Sequence, residues 1–112
     1  MAIDNVNVID GIGIDREGKI LRLLMTDHFP WSNEASLSEY DHLMLLQEKI
    51  NGYIAYLESK QYEKQYPGKI FQLAVIEIHF KYDITDNCEK FLNTVQNQVG
   101  GYGIKIEAVL VQ

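Results

Sequence analysis

Asp27, His28, Asp41 and His42 are the side chains of this sequence best suited to chemistry, and Trp31 stands between the two pairs. Imidazole beside carboxylate can move protons near neutral pH, and the same groups bind Zn or Mn. The spacing gives poor support to either use. His28 and His42 are too far apart to form the i, i+4 pair that presents two nitrogens on one helical face. Both pairs fall at predicted element ends, where Asp and His often serve as hydrogen-bonding caps. On that reading Asp27 closes a strand, His28 and Trp31 pin a loop onto a helix, and Asp41 favours the positive end of the helix dipole. Asp27, His28, Trp31, Asp41 and His42 are the candidate binding residues. The sequence assigns no catalytic residue, metal ligand or cofactor.

Other reactive types have simpler explanations. Cys88 stands near a helix start, which favours thiolate, but Asp86 and Glu89 oppose it and Phe91 and Val95 share its face, so a buried apolar thiol is expected. His79 is expected to face solvent beside Glu77 on a strand. Tyr53, Tyr56, Tyr62 and Tyr66 read as packing residues. Serine nucleophile elbows, P-loops, calcium loops and paired-carboxylate signatures are missing.

The 112 residues fit one domain, 1–112, able to fold without disulfides or metal. Sixteen acidic and ten basic residues give a net charge of −6. With the basic residues dispersed, neither nucleic acid nor a membrane surface is an expected partner, whereas a protein partner is. A single cysteine, an N-terminus without signal-peptide character and the lack of a membrane-length apolar run lead to an expected cytoplasmic location.

These residues are positioned by a predicted β-β-α-β-α-β chain. Val6 to Asp15 alternates as a strand, with Val6, Val8, Ile12 and Ile14 on one face. Asp15-Arg16-Glu17-Gly18-Lys19 reads as a hairpin loop, and Ile20 to Thr26 as the returning strand. Ser36-Leu37-Ser38-Glu39 matches a capping box. A long helix follows, with Leu43, Leu46, Ile50, Tyr53, Ile54 and Leu57 inward, Glu48, Lys49, Asn51 and Glu58 toward water, and an end at Tyr66-Pro67-Gly68. Lys69 to Tyr82 is a strand with Ile70, Ala74, Ile76, Ile78, Phe80 and Tyr82 on one face. Asp86 and Glu89 resemble a second capping box, Cys88, Phe91, Leu92, Val95 and Val99 a helical face, and Gly100-Gly101 a left-handed stop. The last strand places Ile104, Ile106, Ala108 and Leu110 inward. Two striped helices favour an α+β two-layer sandwich: a four-stranded mixed sheet, order 1-2-3-4, with both helices on one face.

The stretches Asn5-Val6-Asn7-Val8-Ile9-Asp10-Gly11-Ile12-Gly13-Ile14-Asp15, Asp27-His28 with Trp31, and His42-Leu43-Met44-Leu45-Leu46-Gln47-Glu48-Lys49-Ile50-Asn51 resemble a small bacterial family of uncharacterised proteins. The resemblance implies a stand-alone domain and carries over no activity.

Two functional expectations follow. The first is a non-enzymatic protein-interaction or accessory factor, of the immunity type, since no catalytic constellation is complete. The alternative is a small hydrolase or metal-dependent enzyme, which requires Asp27, His28, Asp41 or His42 to converge. A homodimer is also expected, through Phe71, Leu73, Val75, Val109 and Val111 on the sheet face away from the helices.

Overall fold

The turn at Asp15 to Lys19 joins two antiparallel strands, β1 (Gly11–Ile14) and β2 (Ile20–Asp27), with Ile12 opposite Leu23 and Ile14 opposite Leu21. The Asp15 carboxylate accepts the amides of Lys19 (2.7 Å) and Ile20 (3.0 Å), which draws its pKa below the ordinary value. Gly18 turns the chain at φ 69°, a conformation that only glycine adopts freely. This computed structural model describes Ile3, residues 8–31 and residues 37–111.

The remaining elements are α1 (Glu39–Glu58), β3 (Leu73–Phe80), α2 (Asp86–Val99) and β4 (Ile104–Leu110). The sheet order is β1-β2-β3-β4, with β2/β3 and β3/β4 parallel, as expected from two helical crossovers. Leu21, Leu23 and Met25 of β2, Ile76, Ile78 and Phe80 of β3, and Ile104 of β4 form one core with residues of both helices. Leu46, Ile50, Tyr53 and Leu57 come from α1, and Cys88, Leu92, Val95 and Val99 from α2. The fold is therefore the α+β sandwich, with both helices on one face.

Several boundaries differ from the sequence reading, each for a local reason. Val6 and Asn7 lie outside the described residues, and β1 opens only at Gly11. Just before it, the Asp10 side chain accepts the Thr26 amide (3.0 Å), taking a donor beside the end of the ladder. Ser36 also lies outside the described residues. The cap of α1 is Ser38, in extended geometry, whose hydroxyl accepts the Asp41 amide (3.1 Å). Thr85, not Asp86, caps α2 by accepting the Cys88 amide (3.1 Å).

Helix α1 stops at Glu58, well before Pro67, because Lys60 turns left-handed at φ 57° and a short 3-10 turn, Gln61–Lys64, follows. Strand β3 starts at Leu73, so Ile70 lies outside it and is 88% exposed. Gly100 keeps helical dihedrals, and the left-handed residue is Gly103, φ 76°. Ala108 and Leu110 share the core face of β4 but are exposed, since the core thins toward the end of that strand.

Candidate functional site

Alternation along β2 turns Asp27, its last residue, toward the core, and α1 brings His42 against it. His42 Nε2 lies 2.8 and 2.6 Å from the two carboxylate oxygens, and both side chains are at most 1% exposed. A carboxylate here only accepts, so Nε2 is the donor. Trp31 stacks on the imidazole with centroids 3.5 Å apart and planes 13° from parallel, and Phe29 meets its edge at 5.8 Å. The Phe29 amide donates to Asp27 (3.1 Å), so the carboxylate also shapes the loop that carries the two aromatic rings. Nδ1 of His42 and Nε1 of Trp31 are buried without a hydrogen-bond partner among the described residues.

His28 and Asp41 do not join this pair. His28 is exposed and stacks on Phe29 (4.3 Å), while Asp41 is exposed in the first turn of α1. Of the five candidates, the fold brings Asp27, His42 and Trp31 together and leaves two at the surface. Among the described residues no group of three or more His, Cys, Asp or Glu is placed to hold a metal ion. The thiol of Cys88 is buried, and that burial, with the negative charges of Asp27 and Glu39, pushes its pKa up to about 12. Glu39 in turn accepts from Asn87 (3.0 Å), linking the starts of the two helices.

A second buried polar cluster was not legible as such. Lys49, expected to face water, is 0% exposed and donates to Asp10 (2.7 Å), itself almost fully buried. The Tyr53 hydroxyl accepts the Asp10 amide (2.9 Å) and donates to the Leu24 carbonyl, and burial raises the phenol pKa well above its usual value. The signal for Lys49 was its place on the stripe His42, Leu46, Lys49, Ile50, Tyr53, Leu57. A lysine there has to bring a partner, and Asp10, interrupting an apolar strand pattern, was the matching anomaly.

The outer sheet face is held by charges. Arg22 bridges Glu77 (3.0 Å) and Glu107 (3.2 Å), and His79, half-buried, pairs with Glu77 (3.0 Å). The His79 and Arg22 bonds hold the Glu77 carboxyl below its ordinary pKa, against partial burial, which raises it.

The five proposed interface residues do not form one exposed patch. Val75 is buried between Arg22 and Lys105 in register, whose aliphatic stems suit such a position. Phe71 packs edge-on against Tyr62 and Tyr66 beside the core, and Leu73 is half-buried. Val109 and Val111 are exposed, at 37% and 44%.

These two belong to an open stretch of sheet edge. Gly103 and Val111 direct backbone groups at β3, bonding Ala74 and Phe80, so the even-numbered residues of β4 direct theirs outward. Gln96 of α2 meets the first of them: its amide donates to the Ile104 carbonyl (3.1 Å) and accepts the Ile106 amide (2.7 Å). Beyond Ile106, no described residue pairs with the outward groups of Ala108 and Leu110. Leu110 and nearby Tyr82 are also exposed, and a cavity of about 130 Å³ lies between Phe80, Tyr82, Ile84 and Ala108. A larger cleft of about 310 Å³, at the opposite end of the strands, is lined by Leu57, Tyr62, Phe71 and Tyr102.

Among the described residues no helix is long and apolar enough to cross a membrane. Comparison with curated proteins and with solved structures gives no match. The chain does match, over residues 1–112, the family described as Family of unknown function (DUF6572), and it belongs to that family.

Proposed function

We propose that this chain is a non-enzymatic protein-interaction domain of the cytoplasm that engages its partner through the open half of β4. The observation that carries this reading is the coincidence of unpaired backbone donors and acceptors with exposed Val109, Leu110 and Val111 on one edge. An uncovered apolar edge is a template for strand addition, which natural sheets usually block with charge, proline or a covering element. Here Gln96 covers the first half, the charged Lys105 and Glu107 precede the second, and Ala108 to Val111 holds neither charge nor proline. Asp27 and His42, the acid-base candidates that meet, are by contrast buried and bonded to one another. A single buried cysteine suits a reducing compartment.

The test is co-purification from the native host with wild type and with Val109→Lys. A protein held in stoichiometric amount by the wild type and lost by the variant supports the reading. Nothing held while the chain itself stays monomeric, or equal retention by both, sinks it.

A small hydrolase is the second reading, favoured by one observation: Asp27 orients His42 while Nδ1 has no partner among the described residues. The pair also lies at the carboxyl ends of parallel strands, where α/β sheets place ligands. Turnover of activated esters, lost in His42→Gln and retained in Val109→Lys, would favour this reading over the first.

A further inference from the structure

We infer that the open half of β4 is occupied by the same strand of a second copy, antiparallel, with the two-fold axis passing at Val109. This rests on the interaction reading above and specifies its partner. Among the described residues of β4, only Ala108 and Leu110 have both outward N–H and C=O groups unengaged by any other described residue, because Gln96 takes the Ile104 carbonyl and the Ile106 amide. An antiparallel pair exchanges both bonds between directly opposed residues. One symmetric register uses both free residues and nothing else: Ala108 opposite Leu110 of the partner, and Leu110 opposite the partner's Ala108. It forms four backbone hydrogen bonds.

Registers centred nearer the start of β4 fail. Centring on Glu107 sets two carboxylates face to face, a destabilising like-charge pair. Centring on Ile106 sets Lys105 opposite Glu107, which is favourable, but requires the backbone groups that Gln96 holds. Centring on Ala108 again requires the Ile106 amide. In the Val109 register Glu107 stands opposite Val111, and no charge faces its like. Val109 meets its own copy across the axis, a β-branched pair of the kind that stabilises sheets. Leu110 of each copy comes beside Ala108, at the mouth of the cavity bordered by Tyr82 and Ile84.

A single-edge contact is small, so this dimer belongs to the weak, transient class. With −6 on each copy, screening by salt strengthens it.

Two measurements on the full chain test it. Sedimentation velocity from about 10 to about 500 µM should show a monomer–dimer equilibrium that shifts toward dimer with added salt and disappears in Val109→Lys. Oxidative cross-linking then checks the register. Opposed residues at a non-hydrogen-bonded site have Cα atoms about 4.5 Å apart, within disulfide range. The two copies of Val111 would stand about 14 Å apart along the strands, out of range. Val109→Cys should therefore cross-link roughly tenfold faster than Val111→Cys, two exposed sites on the same face. The native Cys88 does not interfere, being buried. A wild type that stays monomeric throughout, or equal cross-linking at the two sites, overturns the inference. If the wild type is monomeric while a host protein still depends on Val109, the interaction reading survives and the second copy is the wrong occupant.

Discussion

Replacing Lys49 with methionine removes an ammonium that is 0% exposed and leaves the Asp10 carboxylate, also almost fully buried, without the cation 2.7 Å away. Asp10 keeps the Thr26 amide, but one neutral donor does not replace a charge. Breaking a buried ion pair from one side costs about 3–5 kcal/mol, mostly for the stranded charge. Unfolding entropy near 60 °C is about 2.1 cal/mol/K per residue, so 1 kcal/mol corresponds to roughly 4 °C for a chain of this length. Lys49→Met should therefore lower Tm by roughly 12–20 °C. Asp10→Leu removes that carboxylate from the buried ammonium and should also lower Tm. The double variant removes both charges together, and the Thr26 amide it leaves unsatisfied costs about 1–3 kcal/mol. Thermal unfolding by far-UV circular dichroism and urea titration of all four proteins gives the coupling energy. A Tm for Lys49→Met within about 3 °C of wild type, or single losses that simply add in the double variant, would refute the argument.

Three further outcomes are expected. Cys88, with its pKa pushed up to about 12, should not react with a thiol reagent at pH 8 until the chain unfolds, and labelling of the native protein at the rate of the denatured one would contradict its burial. Glu77 has a folded-state pKa below its ordinary 4.5, so it stabilises the fold above that pH and the contribution is lost as acid protonates it; Glu77→Gln should flatten the fall in urea midpoint across this range, and an unchanged slope would argue against the His79 and Arg22 bonds as its cause. His42→Ala removes the ring stacked on Trp31 and leaves the buried Asp27 with the Phe29 amide but without its imidazole donor, which should cost about 1–3 kcal/mol or more and red-shift emission of the single tryptophan; an unshifted spectrum would place Trp31 elsewhere.

What was legible in the sequence is what periodicity and turn chemistry control. The apolar alternation of β2 and β3, the stripe of α2 and the Asp15 to Lys19 turn are local patterns, each set by side chains within one or two turns of the chain. Two helices with one apolar face each then leave few ways to cover a four-stranded sheet, so the sandwich and its strand order followed. The special residues at 27 to 31 and 40 to 42 stood out by type, and three of them do meet.

Tertiary structure alone decided which three. Asp27 and His42 pair because β2 ends where α1 begins, whereas His28, one residue along, projects to solvent. The same holds for Lys49 and Asp10, two ordinary surface residues by type that become a buried pair only when the first strand crosses α1. Which part of β4 stays open depends on Gln96, a helix side chain satisfying backbone groups of another element. Charge pairing and edge protection are relations between distant residues. Their energy depends on burial and angle, and a linear sequence records neither until packing sets both.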